Sequence, residues 1–215
     1  MRIYSMCAVA FGLLTSLASA HDTWVETNTS LVRKGELVHV DLKLGNHGNE
    51  HRDFKLASKI ALEKCEITVI APNGKSTDMK SKMVDTGYSP KEGYWSGRFV
   101  TQTEGVHVVS HTLETLHGTT RAIKSGKTFF VASKKLDAVP EIADGFDRPL
   151  GHRYEIVPLV NPVTATGPGQ PIRVRVLYEG QPAPEARVSF IPRGVALAED
   201  FDKEYEQLTD QEGVA

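Results

Sequence analysis

Val38-His39-Val40-Asp41-Leu42-Lys43-Leu44 alternates apolar and polar side chains without a break. A period of two puts the four aliphatic residues on one face and His39, Asp41 and Lys43 on the other, which marks a half-buried strand and not an amphipathic helix. His39 then reads as an exposed strand histidine. The turn Arg33-Lys34-Gly35-Glu36 precedes the run, and similar short runs recur on both sides of it, from Trp24 onward. Cys65, Ile67, Val69 and Ala71 form one, closed by Ala71-Pro72-Asn73-Gly74. Tyr94 to Val100, Val106 to Leu113 and Ala122 to Val131 form three more. Between them, Lys75 to Lys82 is polar and is expected to be mobile. Roughly seven short strands separated by Gly, Pro, Asn and Asp predict an all-β chain, with an immunoglobulin-like β-sandwich over residues 21–134.

Residues 135–152 read as a linker rich in charge and proline. A second β-sandwich module is expected over 153–215, with strands in Glu155–Asn161, Ile172–Tyr178 and Ala186–Phe190. The acidic residues Glu199, Asp200, Asp202, Glu204 and Glu206 read as a solvated excursion. Thr209-Asp210-Gln211-Glu212-Gly213 is a turn that should feed a further strand, so this second module is expected to be incomplete at Ala215.

The first twenty residues differ in kind. Arg2 is followed by an apolar run from Met6 to Leu17 and by Ala18-Ser19-Ala20, the small-residue pattern that signal peptidase accepts. Residues 1–20 are therefore expected to be a signal peptide cut after Ala20, with the protein periplasmic or secreted. The run is too short to span a bilayer, so no transmembrane segment is expected after cleavage. Cys7 leaves with the leader, Cys65 is then alone, and no internal disulfide can form. A net charge of −2 offers no basic face and excludes nucleic acid as an expected partner.

Cleavage after Ala20 makes His21 the first residue. Its free α-amino group and Nδ1 can close a chelate ring on one metal ion, which no internal histidine can do. Eight histidines occur in the chain. His47 and His51 share a Gly/Asn-rich loop with Glu50 and Asp53, and His117 lies in the turn Leu116-His117-Gly118-Thr119. His107 and His111 share one strand face but lie about 13 Å apart along it, too far to hold one ion together. The candidate ligands are His21, His47, His51, His111 and His117. Imidazole suits Ni, Co, Cu and Zn alike, so the donor type does not select the metal.

Enzyme readings find little support. Ser110 and His111 are strand neighbours pointing to opposite faces, which is no triad. Ser125-Gly126-Lys127-Thr128 lacks the earlier glycine of a phosphate loop, since Arg121 stands there, and a strand follows it.

Three segments then carry a resemblance: Leu150-Gly151-His152-Arg153-Tyr154-Glu155-Ile156-Val157-Pro158-Leu159, Gly180-Gln181-Pro182-Ala183-Pro184-Glu185-Ala186-Arg187-Val188, and Thr209-Asp210-Gln211-Glu212-Gly213. Together with the start His21-Asp22-Thr23-Trp24, the chain resembles a bacterial periplasmic family of uncharacterised, NikM-like domains, components of nickel or cobalt uptake systems. The resemblance implies two β-sandwich parts, the second like the transthyretin-like modules found beside carboxypeptidases, and transition-metal handling. The expected function is binding or delivery of a divalent metal (Ni, Co or Cu), with a membrane metal transporter as the expected partner and no enzymatic activity. Two alternatives stand beside it. One is a histidine-brace copper protein, either a copper carrier or an oxidative polysaccharide-active enzyme. The other is a metal-free interaction module.

Overall fold

The structure is a computed structural model that describes residues 21–46, 55–56, 58–137 and 145–215, with the backbone alone at Lys55 and His117. The expected leader, the pair His47 and His51 with Glu50 and Asp53, and residues 138–144 of the expected linker lie outside the described residues. The fold is all-β, as expected: among the described residues the only helical elements are 3₁₀ turns at Leu62–Lys64 and Lys80–Lys82.

Two five-stranded sheets face each other in the first unit. One holds β1 (Asp22–Thr27), β3 (Leu37–Asn46), β8 (Trp95–Val100) and β7 (Met83–Asp85) in that order, with β4 (Lys55–Leu56) on β3. The other runs β2 (Leu31–Arg33), β10 (Thr120–Ser133), β9 (Gly105–His117), β5 (Cys65–Ile70) and β6 (Ser76–Asp78). The alternation of Val38 to Leu44 is reproduced in β3: Val38, Val40 and Leu42 are fully buried, while His39, Asp41 and Lys43 are only partly so. Facing them from the second sheet are Ile67, Val69, Val109 and Phe130, each 0% exposed. Burial of this apolar surface, at about 25 cal/mol per Å², is what holds the two sheets together.

The expectation of a mobile polar stretch at Lys75–Lys82 is corrected. It contains β6 and the fully buried Met79, whose amide donates to the Ile67 carbonyl at 2.9 Å. Lysines and serines flank that one anchor, and an average over the window hides it.

The second unit has a sheet of β11 (Tyr154–Pro158), β12 (Val174–Tyr178) and β13 (Gln181–Pro182), and a hairpin of β14 (Arg187–Ser189) with β15 (Glu206–Leu208). Val174, Val176, Ala183 and Val188 form its core. Asp210 Oδ1 accepts from the amides of Glu212 and Val214, Gly213 takes φ +73°, and Val214 then pairs with Arg175 of β12. The acidic excursion is less solvated than expected. Glu206 is 3% exposed and accepts from Arg187, from Ser189 Oγ and from the Asp202 amide. A carboxylate so surrounded is a fold element, because burying it without donors would be costly.

The units touch across the outer face of β9 and β10. Val106 and Val131 are buried there against Phe129, Phe146 and Val163. Near Phe129 and Val163, Arg193 also reaches Glu26 at 2.7 Å.

Candidate functional site

β1 and β3 pair antiparallel with Asp22 opposite Gly45, so His21, one residue ahead of β1, stands at the end of β3. Asn46 ends β3, and β4 returns on its other side with Asn46 opposite Lys55. The segment 47–54, which carries His47 and His51, is thus tied at both ends to the strands beside His21. The β9–β10 hairpin closes at the same end, with His117 opposite Thr120. A groove of about 480 Å³ there is lined by His21, Leu44, Leu113, Leu116, Ala122 and Lys124, among others. The backbone therefore gathers His21, the roots of the His47/His51 segment and the His117 turn at one corner of the first sandwich. His21 itself is exposed.

His111 is not brought to that corner. It is 0% exposed inside the sandwich, its Nδ1 donating to the Glu66 carbonyl (3.3 Å) and its Nε2 lying 2.9 Å from Thr23 Oγ1. A carbonyl only accepts, so Nδ1 carries the proton and Nε2 receives the Thr23 hydroxyl. Burial pushes its pKa down to about 4, and the nearby His152 and Lys124 charges push the same way, against the Glu66 bond. His107 has the same character: its ring stacks on Phe130 at 4.7 Å, its Nδ1 donates to the Gly105 carbonyl, and burial lowers its pKa. Both are neutral, hydrogen-bonded core residues.

Ser110 and His111 do point to opposite faces of β9, and Ser110 meets a different histidine. His152 Nε2 lies 2.9 Å from Ser110 Oγ, 42 residues away in sequence. Among the described residues no carboxylate bonds the ring's other nitrogen; Glu155 bonds the His152 backbone amide instead. The pair is a joint between the units. Beside it, Lys127 meets Glu155 at 2.6 Å with side chains 6% and 1% exposed, and Glu155 also accepts from the amides of Leu150, Gly151 and His152. Burial would raise the Glu155 carboxyl, but the Lys127 ammonium and the loop amides outweigh it and hold the group below its ordinary value. Lys127 thus belongs to an ion pair, as its place in a strand rather than a phosphate loop implied. Ser125 Oγ adds a bond to the Tyr154 carbonyl at 2.5 Å.

Sequence reasoning did not single out Lys124, His152 or Glu155. The last two sit in the Leu150–Leu159 segment, where a lone strand carboxylate three residues after a histidine carried no pattern of its own. Lys124 lines the groove with His21 and is half-buried. Burial lowers its pKa and the Asp22 charge opposes that. Two further lysines line the groove: Lys59, paired with Asp85, and Lys64, which donates to Thr115 Oγ1 at 3.1 Å. No Asp or Glu is among the groove's described lining residues. Nor do the described residues contain a group of three His, Cys, Asp or Glu able to hold a metal. His21 offers two donors there, once its amine is free. Cys65 is buried at 0% exposure with its thiol pushed up to about 11 by burial, so it is a packing residue and no ligand.

The chain belongs to the family of a domain of unknown function, DUF4198, which matches residues 18–215. No curated protein matches it. Among solved structures, a crystal structure of a DUF4785 family protein from Legionella pneumophila aligns at 15% identity and a TM-score of 0.34, over 76% of this chain and 36% of that one. The chain therefore spans little more than a third of that protein's length. No helix among the described residues is long and apolar enough to cross a membrane.

Proposed function

We propose that this DUF4198 protein is an exported transition-metal-binding protein of nickel or cobalt uptake or delivery, with its site built on His21 as the first residue of the processed chain. The observation that supports it is the corner itself: the strand register sets His21 beside the end of β3, from which the His47/His51 segment departs, and beside the hairpin that carries His117. The amine and imidazole of His21 supply two donors, and one histidine from the 47–54 segment or His117 supplies the third. His111 is left out, since both its nitrogens are engaged in the core. The leader pattern at Arg2, Met6 to Leu17 and Ala18-Ser19-Ala20 supports export, and a membrane metal transporter is the partner such a site would serve.

Calorimetric titration tests this with two forms of the protein, one starting at His21 and one carrying a single added alanine ahead of it. The extension moves the amine away and leaves the imidazole and the fold. Ni(II) and Co(II) affinity should drop at least about tenfold in the extended form, since one nitrogen donor and the chelate ring are lost. Equal affinities in the two forms would overturn the proposal. Any nitrogen donor set binds Cu(II) more tightly than Ni(II), so affinity alone does not name the metal. Metal analysis of the protein purified from the periplasm with its native start does, and a copper-only content would favour the histidine-brace alternative.

A further inference from the structure

The first sandwich leaves the edge of β7 open. In its sheet β7 pairs with β8 alone, Met83 opposite Gly97 and Asp85 opposite Trp95. The Thr86 amide donates to the Tyr94 carbonyl at 3.1 Å, so Thr86, and Val84 two residues before it, turn their backbone groups toward β8. Met83 and Asp85 therefore turn theirs outward. The Met83 amide closes the preceding 3₁₀ turn on the Lys80 carbonyl. The Met83 carbonyl and both backbone groups of Asp85 have no partner among the described residues. They are the start of a ladder that an extended chain can continue.

The surroundings of this edge decide which chain fits. Val84 is 62% exposed on the outer face of the sheet, and Tyr88 is 92% exposed in the loop that follows. That loop is held at its neck: the Thr86 hydroxyl donates to the Tyr94 carbonyl at 2.7 Å, and a Cβ on Gly93 would lie 2.4 Å from the Gly87 Cα. A large ring with few rotatable bonds, carried on a held loop, suits an interface anchor. The charges are lopsided. Asp78 caps the Lys80 amide, Asp85 pairs with Lys59, and Glu92 bonds the Tyr88 hydroxyl. Lys80 reaches the Glu63 carbonyl at 3.2 Å, while Lys82 and Lys91 have neither a hydrogen bond nor an ion pair from their side chains among the described residues. Lys91 lies beside this edge, because its carbonyl accepts from the amide of Lys59, whose ammonium pairs with Asp85. Two copies meeting edge to edge at β7 would bring these lysines together and repel; an acidic chain would be attracted.

We propose that β7 is a docking edge for an extended acidic segment of a partner protein. The segment adds to the sheet as a strand beside Met83–Asp85, with an apolar side chain against Val84 and Tyr88 and carboxylates against Lys82 and Lys91. This surface requires no metal, so its failure and that of the site at His21 are distinguishable.

The experiment is fluorescence anisotropy of the protein starting at His21 with a labelled, end-blocked hexapeptide of alternating Val and Glu. Binding is expected with a Kd of about 10–100 µM at low salt. The same peptide with alternate backbone amides N-methylated keeps its charge and side chains but loses its ladder donors, and it should bind at least about tenfold more weakly. A Val/Lys hexapeptide should not bind. Lys82→Glu with Lys91→Glu should weaken the Val/Glu peptide about tenfold, and Tyr88→Ala about fivefold, with urea midpoints unchanged because all three side chains are exposed. Equal binding of the methylated peptide would mean charge attraction without strand addition and would overturn the proposal. So would the absence of peptide binding at millimolar concentration. Phosphatidylglycerol vesicles are titrated alongside: vesicle binding lost in Tyr88→Ala, without peptide binding, would make this a membrane-contact surface instead. A dimer in gel filtration that Lys82→Glu disrupts would assign the edge to a second copy and overturn the proposal equally.

Discussion

Acidification should unfold this protein through a window that belongs to its buried histidines, and His111 sets the scale. In the folded chain its ring is neutral, 0% exposed and bonded at both nitrogens, with a pKa of about 4 against an ordinary 6.5. As pH falls past 6.5 the unfolded chain takes up a proton that the native chain refuses until about pH 4. The unfolded state thus binds more protons throughout that window, so stability falls as pH falls. A gap of about 2.5 units, at 1.36 kcal/mol per unit, amounts to about 3 kcal/mol, lost between pH 6.5 and pH 4 and flat below. Burial lowers His107 and His152 in the same direction, so the wild-type slope should exceed that of one group. The lowered carboxylates Glu26 and Glu155 act from the lower end of this window downward: their contribution is present above the ordinary carboxylate value of 4.5 and is lost as pH falls through their own lower values. The measurement is urea unfolding followed by the fluorescence of Trp24 and Trp95, from pH 7 down to pH 4. His111→Gln should be less stable than wild type at pH 7 by about 1–3 kcal/mol, for the disturbed hydrogen bonds. It should then lose about 3 kcal/mol less than wild type on acidification. Two parallel profiles would refute the assignment of His111 as a neutral core residue.

Removing Glu155 should cost more than removing Lys127. Glu155→Ala strands a buried ammonium and three loop amides, about 3–5 kcal/mol, whereas Lys127→Met leaves the carboxylate with those amides and should cost less; thermal unfolding that ranks them the other way would contradict the joint as described. Gly213→Ala should loosen the second unit, because a Cβ there would sit 2.6 Å from the Val176 carbonyl at a φ of +73°; the cost is about 1–3 kcal/mol, and limited proteolysis should cut within 154–215 sooner than in the wild type. Phe130→Ala should destabilise the first unit by about 3–5 kcal/mol through the cavity it leaves between His107 and Phe99, measured by the same urea midpoints. His111→Gln should leave nickel affinity unchanged, because the ring faces the interior with both nitrogens engaged and does not line the groove beside His21.

Local periodicity was enough to place β3, β5 and β8, because a strand with one buried face writes a period of two into its own residues, and short β-rich runs bounded by turn residues placed β9, β10 and β12. It missed β6, β7 and β15, which are three residues each and too short for any period to show. Of the candidate site, the sequence supplied the candidate donors: a histidine that the expected leader cut would place first, a pair in one polar segment, another in a turn. Residue spacing along one strand also ruled out His107 and His111 as joint ligands of one ion. Their burial was a different matter. The strand Val106 to Leu113 alternates, and a single buried face was the natural expectation, yet both faces are covered. His107, Val109 and His111 fill the interior of the sandwich, and Val106, Val108 and Ser110 lie beneath the second unit. Whether a histidine faces water, a carbonyl or a neighbouring unit depends on chain that is 42 or 88 residues away. The same holds for Lys124, which in sequence is one cation among many and becomes a groove residue only when β10 is laid beside β1. Alternation is a property of one strand and its own backbone geometry. Which face meets which partner is set by sheet register and by the docking of one sheet on another, and those rest on contacts between residues far apart along the chain.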